Sequence, residues 1–443
     1  MLLNELLSSL NLGRMPESPI TGVSIDSRHV SPGHLFVAIK GPHFDGHAFI
    51  PEAINKGAVA VLCEYIVPHV TSPQWLVPNT IQSLGTIAAA YRKSLSDLRV
   101  IALTGSNGKT TVKEMIASCL PSPSFATKGN LNNHLGVPLS LLGLNNQHKS
   151  AVFELGANHA GDIAYTVGMV LPHVTLINNI APAHIGEFGS IDGVARAKGE
   201  IHAGLLSGGT AVVNADDVYA HAWDALFEDK QVVRFSVKTP ETIHASDIDL
   251  SSVEGPAFRL VTPEGDAMVQ LQVPGIHNVS NALAACACLR ALGVSHEAVA
   301  TGLSLFTGVS GRMSYRLGKS DAVVIDDTYN ANLRSVLAAL EVLAARPGRR
   351  IFVFGDMGEL GDFSHEHHEA VGRAAKTFGI DKLLACGEHS RATVVAFGEG
   401  ARHYLTKEAL VSHLMPCLDT STTVLVKGSR SSAMEKIVHE LIV

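Results

Sequence analysis

Residues 101–112, Ile-Ala-Leu-Thr-Gly-Ser-Asn-Gly-Lys-Thr-Thr-Val, set an apolar run, two glycines and a lysine in the order that phosphate chemistry needs. A turn of this kind aims backbone N–H groups at phosphate oxygens where a helix begins. Lys109 would reach the β- and γ-phosphates and the Thr110 hydroxyl would ligate Mg2+, with Gly105, Ser106, Asn107, Gly108 and Thr111 completing the loop. Leu103 stands where the strict pattern has its first glycine, so the loop is a shortened one. Glu154 closes the apolar segment 151–154, and α/β sheets bind ligands at the carboxyl ends of their strands. It is either a second Mg2+ ligand or a cap for a neighbouring helix. His184, in the polar loop after residue 178, is a candidate metal ligand, but most lone histidines are not ligands and the chain has 22 histidines. Lys198 reads from its spacing as a surface lysine, and His365-Glu-His-His368 fits a solvated helix start as well as a metal tract. Polar residues at element ends in 275–281, 311–312 and 325–332 are weak signals one by one.

These groups need a scaffold that brings strand ends and helix starts together. Hydrophobic residues make up 46% and charged residues 17%, which excludes global disorder. A length of 443 residues suggests several domains. The net charge of −7, with no basic tract, excludes a general nucleic-acid binder but not a local phosphate site. Asn4 and Glu5 interrupt the opening apolar run and no basic segment precedes it, so no signal peptide is expected. No uninterrupted apolar stretch is long enough for a membrane span. The six cysteines form no Cys-x-x-Cys pair and read as small core residues in a reduced, cytoplasmic compartment. Short strands are expected at 22–28, 34–40 and 58–63, a helix at 51–56, and a proline-bearing exit at 67–78. Strands and helices then alternate as in a parallel α/β sheet, with strands at 99–103, 151–154, 174–178 and 210–214. A β-like stretch at 230–272 and an alanine-rich helix at 279–292 follow. After residues 308–312 a second run of βα units begins, with strands at 322–326, 350–354, 382–385 and 423–426. The fold class is therefore α/β in three domains: a small one at 1–80, a central parallel-sheet P-loop domain at 81–312, and a Rossmann-like domain at 313–443.

Taken together, the segments resemble the Mur ligase family of peptidoglycan synthesis over essentially the whole chain. The resemblance rests on Thr104-Gly-Ser-Asn-Gly-Lys-Thr-Thr111, Asp26-Ser-Arg28, Phe44-Asp-Gly-His47, Gly129-Asn-Leu-Asn-Asn133, Glu154-Leu-Gly-Ala-Asn-His159 and Ala197-Lys-Gly-Glu200. It continues through Asp326-Asp-Thr-Tyr-Asn-Ala-Asn332, Gly355-Asp-Met-Gly-Glu-Leu-Gly361 and Val426-Lys-Gly-Ser-Arg-Ser431. It implies an ATP-dependent amide ligase that adds D-alanyl-D-alanine to UDP-N-acetylmuramoyl-tripeptide through an acyl phosphate, the first domain holding the UDP sugar. It also implies two Mg2+ ions, with Thr110, Glu154, His184 and Lys198 around them. Lys198 matches the family's carbamylated lysine, made from CO2 and a neutral amine, so its pKa must be lowered. Asn278 and Asn281 match adenine-side residues, Arg312 the arginine that reaches the phosphates from the hinge, and Asp327 the ribose-binding acid. Ser27 and Arg28 fall in the UDP region and Asn132 and Asn133 in the sugar-peptide cleft, while Asn330, Asn332 and Ser429 are acceptor-side candidates. His134, where relatives often carry an acid, and Leu333, where some carry proline, depart from the pattern. A monomer that binds neither nucleic acid nor membrane is expected. Two other readings share parts of this one: a folate polyglutamate synthetase, with the same loop and acyl-phosphate route, and an ATP-gated binding or switch protein.

Overall fold

The computed structural model describes residues 2–10, 12–182, 185–252 and 255–443. They divide into two compact units, Met1–Thr104 with Pro121–Thr175 and Glu200–Thr210, and Gly105–Leu120 with Leu176–Gly199 and Ala211–Val443.

In the first unit, helix α1 (Leu2–Ser9) precedes four strands, β1 (Gly22–Ser24), β2 (His34–Val37), β3 (Ala60–Cys63) and β4 (Gln74–Leu76). They pair in that order and all in parallel. Helix α2 (Ile50–Asn55) crosses over between β2 and β3, and α3 (Thr80–Ser94) leads away. The expected strand at 22–28 stops at Ser24, because the Asp26 carboxylate accepts from the Arg28 N–H and caps a 3-10 turn at Ser27–His29. The expected exit at 67–78 contains strand β4. Strand β5 (Arg99–Thr104) then runs into the phosphate loop and helix α4 (Lys109–Cys119) of the second unit. Back in the first unit come β6 (Ser124–Ala126), α5 (Gly136–Leu142), β7 (Ser150–Glu154) and α6 (Asp162–Val170), with β7 between β5 and β6 and all three parallel. Every residue of β7 is buried, as expected for a strand covered on both faces.

The chain continues through β8 (Val174–Ile177), α7 (Ile185–Phe188), α8 (Ile191–Ala203) and β9 (Thr210–Asn214). In the second unit β10 (Gln231–Ser236) and β11 (Ile243–Asp249) are parallel, and β12 (Ala257–Thr262) and β13 (Gly265–Gln270) extend them as antiparallel ribbons. The β-like stretch is thus four strands. Helices α9 (Ile276–Leu292) and α10 (His296–Leu305) follow.

The last sheet contains β14 (Ser314–Leu317), β15 (Val323–Asp327), β16 (Arg349–Gly355), β17 (Lys382–Cys386), β18 (Ala401–Tyr404) and β19 (Thr422–Lys427). Its order is β14-β15-β19-β16-β17-β18, parallel except at the β14 edge. Helices α11 (Leu333–Ala344), α12 (Ser364–Thr377), α13 (Ser390–Phe397), α14 (Lys407–Leu414) and α15 (Glu435–Leu441) connect or close the strands. Alternation along the strands sorts the core into two layers. Phe352, Phe354 and Leu425 pack on one face with α11 and α12 residues, and Ile351, Val353, Val424 and Val426 on the other with α14 and α15 residues. His368 is one of the fully buried residues of α12, and its Nε2 accepts from the Met357 N–H at 3.0 Å, so the 365–368 tract begins a helix. Among the described residues no helix is long and apolar enough to cross a membrane. All six cysteines are free.

Candidate active site

The phosphate loop is shaped by amides from distant segments. The Ser106 N–H donates to the Asn179 carbonyl and its Oγ to the Ala181 carbonyl, both at 2.9 Å. The Asn107 N–H donates to Asn179 Oδ1 at 2.9 Å, and the Asn107 carbonyl accepts from the Nδ2 groups of Asn178 and Asn179 at 3.0 Å each. Gly108 has φ +77° as it enters α4. A Cβ there would sit 2.5 Å from Asn281 Oδ1 and 2.6 Å from Asn178 Nδ2, so no side chain fits. The first turn of α4, where N–H groups have no acceptor within the helix, thereby opens at the loop.

The Lys109 Nζ curls back to donate to the Gly105 carbonyl at 2.8 Å. Lys198, on α8, is buried, and desolvation together with the like charge of Lys109 holds its amine well below the ordinary lysine value. The surface reading of Lys198 is therefore corrected: it is a buried amine near another cation, and both influences favour its neutral form. Thr110 and Thr111 fall in the first turn of α4.

Asn278 and Asn281 form a ladder behind the loop. The Asn278 Nδ2 donates to the Pro274 carbonyl at 2.7 Å, Asn281 Nδ2 to Asn278 Oδ1 at 2.9 Å, and Asn178 Nδ2 to Asn281 Oδ1 at 3.0 Å. At the start of the last sheet, the Arg312 guanidinium lies 4.1 Å from the centre of the Tyr329 ring, a cation–π contact. Asp327, at the end of β15, accepts from the Met313 N–H at 3.1 Å and forms a buried ion pair with Lys427 of β19. Lys427 also donates to the Asn330 carbonyl at 3.0 Å. The neighbouring His277 is held down to about 4 by burial, with Asp327 pulling its pKa up and Lys427 pushing it down. Asn330 Oδ1 accepts from the Ala331 N–H at 2.9 Å. Asn332 caps α11, its Oδ1 accepting from the Ser335 N–H at 3.0 Å, while its Nδ2 donates to Asn107 Oδ1 at 2.6 Å. Arg334 reinforces this junction by donating to the Ile180 carbonyl at 3.0 Å. Ser429 is buried in a hydroxyl cluster, 3.0 Å from Ser431 Oγ and 3.1 Å from Ser432 Oγ, and its N–H donates to the Asp356 carbonyl.

The remaining expected residues lie in the first unit, apart from His184, which falls outside the described residues. Glu154 ends β7 with its carboxylate buried, and Oε1 accepts from Asn132 Nδ2 at 2.8 Å. Asn133 Oδ1 accepts from the Leu135 and Gly136 N–H groups at 3.2 and 2.8 Å, starting α5. Ser27 Oγ donates to Glu52 Oε2 at 3.0 Å. The exposed Arg28 is gripped by Asp26, with Nε at 2.9 Å from Oδ1 and Nη2 at 2.7 Å from Oδ2, and that guanidinium drives the Asp26 pKa well down.

Sequence reading assigned no role to Asn178, Asn179 or Lys427. A signal existed for the first two, since paired asparagines at a strand end place two amides where a loop can be gripped. Lys427 falls in the 426–431 segment that carries the family resemblance, but its pairing with Asp327 spans 100 residues and leaves no local pattern.

The loop-bearing α/β body and the last parallel sheet are those of a nucleotide-binding protein, and the chain belongs to the Mur ligase family. The family models match in three stretches: "Mur ligase family, catalytic domain" at residues 19–92, "Mur ligase middle domain" at 103–289, and "Mur ligase, glutamate ligase domain" at 311–430. The chain is 43% identical to the UDP-N-acetylmuramoyl-tripeptide--D-alanyl-D-alanine ligase of Escherichia coli (strain K12), over 99% of this chain and 98% of that protein. Its fold matches a crystal structure of MurF from Acinetobacter baumannii with a TM-score of 0.92 at 38% identity, covering 99% and 98% of the two chains. MurF ligase from Thermotoga maritima in complex with ADP matches with a TM-score of 0.83 at 26% identity, covering 96% and 98%.

Proposed function

We propose that the chain is an ATP-dependent ligase that joins D-alanyl-D-alanine to UDP-N-acetylmuramoyl-tripeptide in peptidoglycan precursor synthesis. The full-length 43% identity to an enzyme of that name carries the reading. The same likeness disfavours both the folate polyglutamate synthetase and the switch protein. In this reaction the terminal carboxylate of the tripeptide attacks the γ-phosphorus of ATP, ADP leaves, and an acyl phosphate remains. The dipeptide amine then attacks the acyl carbon, the tetrahedral intermediate expels phosphate, and the amine loses its proton. Phosphoryl transfer of this sort depends on positioning and charge neutralisation.

This chain supplies both. The Asn-clamped loop fixes the N–H groups that receive the phosphates, Lys109 adds charge, and Arg312 reaches toward the transferring group from the hinge. Asn278 and Asn281 hold the adenine side and Asp327 the ribose. Two Mg2+ ions, held by Thr110, Glu154, His184 and carbamylated Lys198, would supply further neutralisation of phosphate oxygens. The buried amine of Lys198, its pKa lowered by desolvation and by Lys109, suits carbamylation, and the buried carboxylate of Glu154 suits a hard cation. Ser27 and Arg28 would meet the UDP moiety, Asn132 and Asn133 the sugar-peptide, and Asn330, Asn332 and Ser429 the acceptor side. The three domains at 1–80, 81–312 and 313–443 then serve donor, nucleotide and acceptor in turn. The six free cysteines suit a reducing compartment such as the cytoplasm, where the chain would work as a monomer without nucleic acid or membrane.

The test is phosphate release from Mg-ATP and UDP-muramoyl-tripeptide with and without D-alanyl-D-alanine. Release that needs all three, with a product heavier by one dipeptide, is expected. Release indifferent to the dipeptide overturns the acceptor assignment.

A further inference from the structure

We infer that Asn332 is a positioning residue for the phosphate loop: it sets the amide orientation of Asn107 and so aims a donor at the bound nucleotide. The inference rests on the ATP-binding reading above and deepens it. Asn332 stands at the N-cap of α11 in the capping box with Ser335, and its Oδ1 is taken by the Ser335 N–H at 3.0 Å. Only its Nδ2 remains for the other direction, and it lies 2.6 Å from the side chain of Asn107, 225 residues away in sequence. A donor must meet an acceptor, so Asn107 is forced to present Oδ1 to Asn332.

That choice decides where the rest of the Asn107 amide goes. With Oδ1 committed, its Nδ2 turns the other way, and there it is buried without an acceptor among the described residues. A buried donor left unpaired costs free energy, so such a group calls for an acceptor. Asn107 sits between Ser106 and Gly108 in the phosphate loop, and its backbone N–H and carbonyl are already held by Asn178 and Asn179. The acceptor that fits is an anionic phosphate oxygen of the nucleotide. Arg334, two residues on from Asn332, donates to the Ile180 carbonyl at 3.0 Å and keeps the start of α11 seated on the strand end that clamps the loop. Asn332 thus touches no nucleotide, and the last sheet acts on the loop through it.

Asn332→Asp separates this role from capping. Aspartate caps a helix as well as asparagine does, so the fold is expected to keep its melting temperature within about 2 °C. The new carboxylate offers only acceptors toward Asn107, so the Asn107 amide must flip and turn its oxygen toward the phosphates. Binding of a non-hydrolysable ATP analogue, followed by calorimetry, should weaken about ten- to hundredfold, the range for losing a hydrogen bond to a charged group. With Asn107→Ala as the background, Asn332→Asp should have no further effect on analogue binding, because the amide it acts through is gone. Asn332→Ser, which caps but cannot reach Asn107, should weaken binding in the same direction. Wild-type affinity in Asn332→Asp, or an equal loss in both backgrounds, overturns the inference. A wild-type protein that binds no analogue overturns the ATP reading itself.

Discussion

Lys198 shows how far one residue's chemistry depends on its burial. Spacing made it a surface lysine; the fold removes its amine from water and sets it near Lys109, and both lower its pKa. The sign of the resulting pH dependence follows by linkage. The folded amine releases its proton below the ordinary lysine value of 10.5, so between the two values the unfolded chain binds more protons. Stability contributed by this group therefore rises with pH across that window and is lost as pH falls through the folded value. In CO2-free buffer, Lys198→Met should flatten that rise and hold the neutral-pH urea midpoint at or above wild type, since a buried amine is replaced by an apolar chain of similar length. Ligase turnover should fall about hundredfold or more. Added bicarbonate should raise the activity of CO2-depleted wild type and leave the variant unchanged. A bicarbonate response in Lys198→Met would remove the carbamate from the proposal.

At the scale of elements, the phosphate loop was legible because its residues are contiguous: an apolar strand, glycines and Lys109 announce it within 101–112. The βα alternation was legible for the same reason, since buried parallel strands such as β7 and β19 read as short apolar runs. What holds the loop was hidden, because Asn178 and Asn281 act on it from 71 residues and more away. The close fit predicts that Gly108→Ala, which brings a Cβ against both amides at positive φ, weakens ATP-analogue binding about tenfold or more in calorimetry. Arg92, on α3, was hidden too. It is buried, and its guanidinium donates to the carbonyls of Val170 and Leu95 at 2.9 and 3.0 Å and of Leu98 and Leu171 at 3.3 and 3.1 Å. It thereby ties the chain ends after α3 and α6. Arg92→Met leaves those carbonyls without their donor and should cost about 3 kcal/mol, read as a lower urea midpoint with ATP affinity kept. An unchanged midpoint would show that water replaces the guanidinium.

At the scale of the whole molecule, the proposed last domain, residues 313–443, is expected to swivel where the chain enters it. Residues 309–313 are strapped to its sheet. The Arg312 N–H donates to the Val309 carbonyl at 3.0 Å, and the Tyr329 N–H donates to the Gly311 carbonyl at 3.0 Å. The Met313 N–H reaches Asp327 and the Arg312 side chain lies on Tyr329. Upstream, α10 ends at Leu305, and the Phe306 N–H still donates to the Leu303 carbonyl. A swivel would therefore fall at Thr307 and Gly308, the latter at φ +97° with Val273 Cγ1 2.9 Å from where a Cβ would stand. Asn332 and Arg334 seat α11 on the nucleotide loop by two side-chain hydrogen bonds, each worth about 1 kcal/mol net. Nucleotide and UDP-tripeptide would add contacts that only the engaged arrangement offers, so the two ligands together are expected to shift the population toward it. Small-angle scattering should show a smaller radius of gyration when both ligands are added to wild type. Gly308→Ala, strained at the swivel, should reduce that change without moving the loop residues that bind ATP. A radius indifferent to both ligands would mean that the domain does not swivel, and that Arg312 meets the phosphates from a fixed position.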